Sequence, residues 1–270
     1  MKVTFQGESG AYSEMAVYKF FGSKVEPVPC KDFREVFESV KTDAVLHGVI
    51  PIENSIEGSV NQNYDLFLAY DLKVCGEVAV KLAHVLIGNP KTKLEDIKTV
   101  YSHPQALAQC RSFLEKQKWE IIPVYDTAGS VKIIKEKNLL DAAAIASEKA
   151  ADLYGMKILH RDIADNQSNY TRFLVLSHED AAPTGDDKTS IIFSAKHAPG
   201  TLYHALSEFA SRNINLTRIE SRPTKTTAWQ YNFYLDFEGH RSEKRVSEAL
   251  EALSKYATFV KILGSYPRVI

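Results

Sequence analysis

The chain has 270 residues, enough for one large domain or for two modest domains that each bury a core. Its 33 Lys and Arg residues nearly balance its 34 Asp and Glu residues, giving a formal net charge of −1 at pH 7. General electrostatic attraction to nucleic acid or to an anionic membrane is therefore excluded, so any bound anion needs a local site.

The cysteines and the N-terminus favour a reducing compartment. Cys30, Cys75 and Cys110 are odd in number, far apart and not in metal-ligand spacing, which predicts a cytoplasmic protein without disulfides. The chain begins without an apolar signal region, and no stretch approaches the length that spans a bilayer.

Strand and helix patterns alternate from the start of the chain. Residues 3–5 form a predicted strand that ends in a glycine-containing turn, and a helix is predicted over residues 12–21. Asp32 is a predicted N-cap for a helix whose apolar residues recur at i, i+3, i+4 and i+7 from Phe33. A strand over residues 47–52 follows. The alternation predicts a mostly parallel sheet with a site at the carboxyl ends of its strands.

The same pattern continues to Gly155, which is predicted to end a helix. Ser102 is a predicted N-cap for a helix that begins at Pro104 and continues past Cys110. Asp126 and Ser147 are predicted N-caps of two later helices. The strands that precede these three helices are predicted over residues 99–101, 119–125 and 142–146.

A second pattern begins after the polar segment 178–187, which contains Pro and Gly, lacks periodicity and is a predicted linker. Strands are predicted over residues 191–195, 214–219, 230–237 and 259–263, with one helix after the first and another after the third. This order predicts a βαββαβ, ferredoxin-like sandwich. Helices leave one face of its sheet bare, and we expect that face to pair with a second copy.

Polar residues gather where strands of the first part end, in the clusters 54–55, 102–105, 126–127 and 165–173. A single Ser or Asp before a helix is more often a cap than a ligand. Several helix N-termini at corresponding strand ends, however, offer backbone N–H groups and positive dipole ends to an anion. The residues alone therefore predict an α/β domain that binds a small polar anion in a cleft.

Five motifs make the prediction more specific. FQGESGAYSE, PIENSIEGSV, SHPQALAQC and DNQSNYTRF occur in this order and resemble the prephenate dehydratase family. Beyond the linker, ESRP resembles the phenylalanine-site motif of the amino-acid-binding ACT module. The resemblance implies an α/β fold with a bilobed, periplasmic-binding-protein-like catalytic domain over residues 1–178. A linker over 179–188 and a ferredoxin-like ACT regulatory domain over 189–270 complete the implied organisation.

The family's reaction removes water and carbon dioxide from prephenate to give phenylpyruvate on the way to phenylalanine, and it implies no metal or redox cofactor. By resemblance, Thr171 donates a hydrogen bond or a proton to the leaving hydroxyl, Arg172 binds a carboxylate, and Phe173 excludes water. Without the motif, Thr171 would be a β-branched residue entering a strand, Arg172 a surface ion-pair partner and Phe173 a core residue. His103 is a candidate general acid, although a solvated histidine is the commoner case. Candidate substrate-binding residues are Asn54, Ser55, Gln105, Thr127 and Asn169.

The ACT resemblance implies feedback control by L-phenylalanine and a homodimer or homotetramer. Effector binding would shift the population of closed lobes. One departure concerns residues 200–203, which are GTLY where the family usually has GALV. The chain starts directly on the first strand, so we expect no chorismate mutase segment. The implied effector residues are Pro199, Gly200, Leu202, Asn215, Leu216, Glu220, Ser221 and Arg222.

Two other functions remain open from the sequence. Arogenate, the aminated analogue of prephenate, is an alternative substrate. A non-enzymatic sensor of small anions or amino acids fits the same scaffold, but it has no need of a leaving-group donor such as Thr171. A DNA-binding regulator is disfavoured by the net charge and by the lack of a basic recognition helix.

Overall fold

The computed structural model describes residues 1–196, 198–225, 227 and 229–269. They form two compact units. The first unit comprises Met1–Leu66 and Val78–Phe173, and the second comprises Phe67–Glu77 and the chain from Leu174 onward. No helix in the described part of the chain is long and apolar enough to cross a membrane.

One mixed sheet carries the N-terminal strand. Its strand order is Glu26–Cys30 (β2), Lys2–Gln6 (β1), His47–Asn54 (β3), Tyr170–Ser177 (β11) and Lys73–Lys81 (β5), and Gly58–Ser59 (β4) pairs with β3. β1 is parallel to both β2 and β3. Helices Tyr12–Phe21 (α1), Phe33–Lys41 (α2) and Asn61–Ala69 (α3) follow β1, β2 and β4 along the chain.

A second sheet has the order Lys157–His160 (β10), Val85–Gly88 (β6), Ala142–Ala146 (β9), Thr99–Ser102 (β7) and Glu120–Pro123 (β8). β7 is parallel to β8 and β9, whereas β6 is antiparallel to β9 and β10. The connecting helices are Pro104–Gln109 (α4), Arg111–Leu114 (α5), Thr127–Glu136 (α6) and Glu148–Tyr154 (α7), with a 3₁₀ helix at Leu94–Asp96. Helices α4, α6 and α7 follow β7, β8 and β9, which run parallel to one another. The N-termini of these helices therefore lie at the same edge of the sheet.

Three of the predicted helix caps are confirmed. The carboxylates of Asp32 and Asp126 accept from the N–H groups of Glu35 and Gly129, and the Ser147 hydroxyl accepts from Ala150. These contacts satisfy backbone donors that have no partner inside the helix. The sequence patterns therefore located the starts of α2, α6 and α7 correctly.

The predicted cap at Ser102 is wrong. Ser102 is the last residue of β7, and its hydroxyl donates to the Ile145 carbonyl oxygen over 2.6 Å. His103 is the cap instead, with its Nδ1 accepting from the Gln105 N–H over 3.2 Å. The residue before a proline is disfavoured in the helical region, so Pro104 fixes residue 103 as the last non-helical position. The helix is also interrupted at Cys110, between α4 and α5.

The second unit contains the predicted βαββαβ sandwich, which is confirmed. Its sheet order is Leu216–Pro223 (β13), Tyr231–Glu238 (β14), Asp187–Ala195 (β12) and Ala257–Pro267 (β15), and all neighbours are antiparallel. Helices Thr201–Ala210 (α8) and Lys244–Leu253 (α9) pack on one face, around a core that includes Phe193, Phe209 and Phe237.

The segment Phe67–Glu77 contacts the helix-free face of this sheet. The Lys261 ammonium donates to the carbonyl oxygens of Phe67 and Tyr70 over 2.9 and 2.7 Å. A Cβ on Gly264 would lie only 2.1 Å from the Val74 carbonyl oxygen, so the two backbones touch there. The face that we expected a second copy to cover is therefore partly occupied by this chain's own segment.

A buried ion pair joins the same segment to β12. The Lys188 ammonium lies 2.9 and 3.2 Å from the two Glu77 carboxylate oxygens, and both side chains are almost fully buried. The Val269 N–H donates to the same carboxylate over 3.0 Å. A buried charge is tolerated only when it is paired and hydrogen-bonded, so these contacts tie Phe67–Glu77 to the second unit.

Candidate active site

A cavity of about 370 Å³ lies within the first unit, between residues of its two sheets. Residues from the first sheet and its loops include Asn54, Thr171 and Phe173, and those from the second include His103, Gln105 and Thr127. Polar residues that the motifs had not singled out as ligands also line it: Gln6, Tyr12, Ser13, Lys31, Asp32, Gln62, His84, Gln109, Tyr125 and Asp126.

Contacts between the two sheets' loops bound this cavity. Ser147 at the start of α7 donates to the Gly10 carbonyl oxygen over 2.8 Å. Gly10 has φ of +91° and packs so closely that a Cβ there would meet Ala150 at 3.0 Å, so only glycine fits without strain. Glu8 accepts from the Tyr125 hydroxyl over 2.6 Å, and this hydrogen bond lowers the pKa of the Glu8 carboxyl.

Asn54 ends β3 and is held by backbone groups. Its Oδ1 accepts from the N–H groups of Ile56 and Glu57, each over 3.0 Å, so the acceptor end of its amide is identified unambiguously. The opposite end, Nδ2, donates to the Thr171 Oγ1 over 3.0 Å and to the Asn169 Oδ1 over 2.7 Å. The turn after β3 thereby fixes the surroundings of the Thr171 hydroxyl.

The hydrogen-bond chain continues from Asn169 to Gln109 and His84. Asn169 Nδ2 donates to Gln109 Oε1 over 2.8 Å, and His84 Nε2 lies 2.9 Å from the same oxygen. Gln109 is 8% exposed, and among the described residues nothing accepts from its buried Nε2. A buried amide donor costs free energy when it lacks an acceptor, and Gln109 is a lining residue of the cavity, so its Nε2 suits an oxygen of a bound ligand.

Strand alternation separates the three residues of the TRF motif. Thr171 and Phe173 line the cavity, both almost fully buried. Arg172 between them is not among the lining residues that the structure describes; its guanidinium lies 3.5 Å from the Glu53 carboxylate. Because successive side chains of a strand point to opposite faces, Arg172 lies on the face away from Thr171.

The other predicted ligands divide into two groups. Gln105 and Thr127 line the cavity at the N-termini of α4 and α6. Asn169 and Ser55 are not among the described lining residues and instead form hydrogen bonds with neighbouring parts of the chain. Asn169 is fully buried between Asn54 and Gln109, and the Ser55 hydroxyl accepts from the Tyr170 N–H over 3.0 Å.

The charges around the cavity are mixed. Lys31 contributes an ammonium, and Asp32 and Asp126 contribute carboxyls. Burial raises the pKa of the Asp126 carboxyl, and the hydrogen bond from Gly129 partly offsets this effect. Burial also lowers the pKa of His103, which favours its neutral form near pH 7.

Gln109, His84 and Tyr12 were missed as site residues. Gln109 falls inside the SHPQALAQC motif, one turn after Gln105, so i, i+4 spacing on one helical face is a usable signal. His84 precedes β6 and Tyr12 begins α1, and the Tyr12 hydroxyl lies 3.2 Å from His84 Nδ1. Neither shows a local pattern that predicts this contact, because they lie 72 residues apart.

In the second unit, a smaller cavity of about 130 Å³ lies beside the N-terminus of α8. Leu202 lines it, and Gly200 is the α8 N-cap with φ of +79°. Pro199 directly precedes that cap. Trp229 and Tyr231, which are both exposed, line the same cavity. Part of the predicted effector region is therefore concave in a single chain.

The remaining predicted effector residues lie on or beside β13. Ser221 is exposed and pairs in register with Phe233, near the sheet end where β12 leads to α8. Glu220 forms an ion pair with Arg218, and Arg222 is half-buried. Leu216 pairs with Phe237 at the opposite end, next to Asn215. Asn215 and Gly200 are thus at opposite ends of this sheet.

Family models cover most of the chain. The model described as prephenate dehydratase matches residues 3–181. The chain belongs to the prephenate dehydratase family. The ACT domain model matches residues 189–255, which confirms the C-terminal module of the prephenate dehydratase resemblance. The family assignment makes the chain a lyase of phenylalanine biosynthesis.

Curated relatives span the whole chain. A bifunctional chorismate mutase/prephenate dehydratase of Aquifex aeolicus is 44% identical over 272 residues, covering 100% of this chain and 74% of the relative. Arogenate dehydratase 2 of Petunia hybrida is 45% identical over 283 residues, covering 99% of this chain and 72% of the relative. The chain is thus similar to members of the prephenate dehydratase family whose names carry different substrates.

A solved structure resembles the fold over its full length. The prephenate dehydratase of Arthrobacter aurescens in complex with L-Phe has 33% sequence identity and a TM-score of 0.91, covering 99% of this chain and 90% of that one. At this identity and coverage, the similarity supports a common fold for both the dehydratase and the ACT portions.

Proposed function

We propose that this chain converts prephenate into phenylpyruvate and that L-phenylalanine inhibits it. The observation that carries the catalytic part is the Thr171 hydroxyl, which lines the cavity and accepts from Asn54 Nδ2 over 3.0 Å. Because Asn54 donates to Thr171, the hydroxyl's own proton is available for another acceptor. A leaving hydroxyl group in the cavity would be that acceptor.

The reaction balances without an oxidant or a reductant. The bond from the ring to its carboxylate breaks, its electron pair enters the ring, and carbon dioxide departs. The bond from the ring to the hydroxyl oxygen breaks, and the hydroxide leaves as water after receiving one proton. Aromatisation supplies the driving force, so the chain has to assist departure of the oxygen. A positioned hydrogen-bond or proton donor typically contributes a factor of about 10²–10⁴ in rate.

Gln109 supplies a second donor. Its Nε2 is buried and, within the described residues, has no acceptor in the chain, so it suits the leaving hydroxyl or a carboxylate of prephenate. A donor aimed at a developing negative charge stabilises it more in the transition state than in the substrate. Phe173, almost fully buried, would exclude water from the ring.

Carboxylate binding is assigned to the rim of the cavity. Lys31 supplies a positive charge there, and the side chains of Gln105 and Thr127 supply hydrogen-bond donors. The contact between Arg172 and Glu53 supports an indirect role for Arg172, in holding the end of β3, over direct contact with substrate.

Arogenate is the second candidate substrate because arogenate dehydratases are among the close relatives. The two substrates differ where prephenate has a keto group and arogenate an ammonium group. Turnover of both by the purified protein separates the alternatives. Formation of phenylpyruvate supports the proposal, formation of phenylalanine from arogenate alone supports the alternative, and no turnover of either overturns both.

Control by L-phenylalanine rests on the second unit. The ACT domain match and the L-Phe complex of the Arthrobacter relative support it. Because Gly200 and Asn215 lie at opposite ends of the sheet, one bound amino acid cannot contact both in one chain. A site made from Gly200 of one copy and Asn215 of another requires a homodimer or a homotetramer. Two measurements test this part. The first is inhibition of turnover by added L-phenylalanine, and the second is a change in oligomer size, or in the affinity between subunits, when L-phenylalanine is added.

The three cysteines are free, and a reducing compartment keeps them so. This supports a cytoplasmic location for the enzyme. Fractionation of cells, with the protein followed by antibody, tests the location directly.

A further inference from the structure

His84 is a buried histidine outside the motifs that carry the family resemblance. It is 2% exposed and lines the active-site cavity. Its Nε2 lies 2.9 Å from Gln109 Oε1, and its Nδ1 lies 3.2 Å from the Tyr12 hydroxyl. The Tyr12 ring meets the imidazole edge-on, with ring centroids 5.7 Å apart, so the histidine is held on two sides.

Backbone groups determine which end of each amide faces which neighbour. Asn54 Oδ1 accepts two backbone N–H groups, so Asn54 Nδ2 must be the donor to Asn169 Oδ1. Asn169 Nδ2 must then be the donor to Gln109 Oε1. Since Gln109 presents an oxygen to His84, a proton on His84 Nε2 completes the contact.

We propose that His84 is a positioning residue that holds the Gln109 amide so that its Nε2 is presented to the substrate. This inference rests on the proposed function, in which Gln109 Nε2 contacts the substrate. With both Asn169 and His84 donating to Oε1, a flipped amide would place its NH₂ group against two donors. Each donor therefore opposes the flipped orientation, and loss of His84 leaves Asn169 alone to oppose it.

The surroundings keep His84 in the form that this role needs. Burial lowers the pKa of His84, and the Gln109 hydrogen bond partly offsets that effect. The neutral imidazole has one proton, and Gln109 Oε1 places it on Nε2. The Tyr12 hydroxyl donates its one proton to the Ala83 carbonyl oxygen over 2.7 Å, so Nδ1, which lies 3.2 Å from that hydroxyl, receives no hydrogen bond from it.

The tautomer of His84 can be measured in the unsubstituted protein. Nitrogen-15 NMR of the histidine-labelled chain at pH 7.5, with the His84 signals assigned from their loss in His84→Gln, distinguishes Nε2–H from Nδ1–H. We expect Nε2–H. The Nδ1–H tautomer would place a lone pair on Nε2, which requires Gln109 to present its NH₂ group there, and would overturn the proposal. This measurement stands even if prephenate is not the substrate.

A double-mutant cycle tests the link to Gln109. His84→Phe removes the donor, and we expect kcat/KM to fall about tenfold, with His84→Gln restoring most of it. In a Gln109→Ala background, His84→Phe should change kcat/KM less than twofold, because the residue it positions is gone. Equal effects in both backgrounds would mean that His84 only supports the fold and would overturn the proposal. His160→Phe, at an exposed histidine on β10, is the matched control.

Discussion

Asn54 and Thr171 come from neighbouring strands, and Asn54 Nδ2 donates to the Thr171 hydroxyl over 3.0 Å. Because the hydroxyl accepts here, its own proton points away from Asn54 Nδ2. Thr171→Ala should lower kcat at least tenfold, whereas Thr171→Ser should keep much of it because the hydroxyl remains. Phenylpyruvate formation from prephenate measures both. Thr42→Ala, at an exposed threonine that ends α2, is the control, and equal activity of Thr171→Ala would contradict the assignment.

Buried His84 and half-buried His103 predict a loss of stability in acid. Burial lowers the pKa of both His84 and His103, so the unfolded chain takes up protons near pH 6.5 while the folded chain resists them. Their contribution to the free energy of unfolding is full above about pH 6.5 and falls as the pH drops below it. Urea unfolding at pH 7.5 and 5.5 measures the difference. The difference in the free energy of unfolding between the two pH values should be smaller in His84→Gln. If that difference is unchanged, His84 is not its source.

The Lys188–Glu77 pair predicts unequal effects of single and double changes. Glu77→Ala leaves a buried ammonium without its carboxylate and should lower the free energy of unfolding by about 3–5 kcal/mol. Replacing both residues by apolar ones, as in Glu77→Leu with Lys188→Met, should cost much less. Urea unfolding of the three proteins measures the contrast. Additive losses in the double variant would show that the two charges do not compensate each other.

The buried thiol of Cys110 should resist chemical modification. Burial, with a smaller effect of Asp165, raises the pKa of Cys110 to about 12, and Cys110 is fully buried. At pH 8 only about one such thiol in 10⁴ is ionised, and the thiolate is the reactive form. Ellman's reagent should therefore leave Cys110 unmodified in the folded protein and react with it in guanidinium. Cys110→Ser identifies its signal, and rapid reaction in the folded state would contradict this prediction.

Ser221 allows regulation to be separated from catalysis. It is exposed on β13 in the second unit, so Ser221→Ala should leave kcat within twofold. If it contacts L-phenylalanine, the loss of about 1 kcal/mol raises the inhibitory concentration roughly fivefold. Inhibition curves for this variant and for Ser211→Ala, an exposed serine after α8, measure the effect. Loss of catalysis together with inhibition would mean that this part of β13 is structural.

Local patterns predicted local structure well. The helix over residues 12–21 and the caps at Asp32, Asp126 and Ser147 follow from spacing and capping chemistry, both of which act within a few residues. The βαββαβ order also followed from the sequence of patterns. β5, β6 and α3 were not predicted. Their residues show no clean alternation, because β5 and β6 are buried on most of their positions.

The candidate site was only partly predictable. Thr171, Asn54, Gln105 and Thr127 were predicted from motifs and line the cavity. Arg172 was expected beside them, but the strand begins at Tyr170, before the motif, and alternation then turns its side chain away. The contact between His84 and Gln109 joins separate elements of the chain, and no local pattern encodes such a contact.

The contacts of Phe67–Glu77 limit how the C-terminal module can be moved between proteins. A gene fusion made at the linker would carry Lys188 and Lys261 into a new host but leave behind the carboxylate of Glu77 and the carbonyl oxygens of Phe67 and Tyr70. Without the segment these two ammonium groups would face water, so a host that covers this face of the sheet has to provide acceptors for them. Shuffling of this module among enzymes therefore favours recipients that already contain such a segment, and truncations for biophysical work need to retain it.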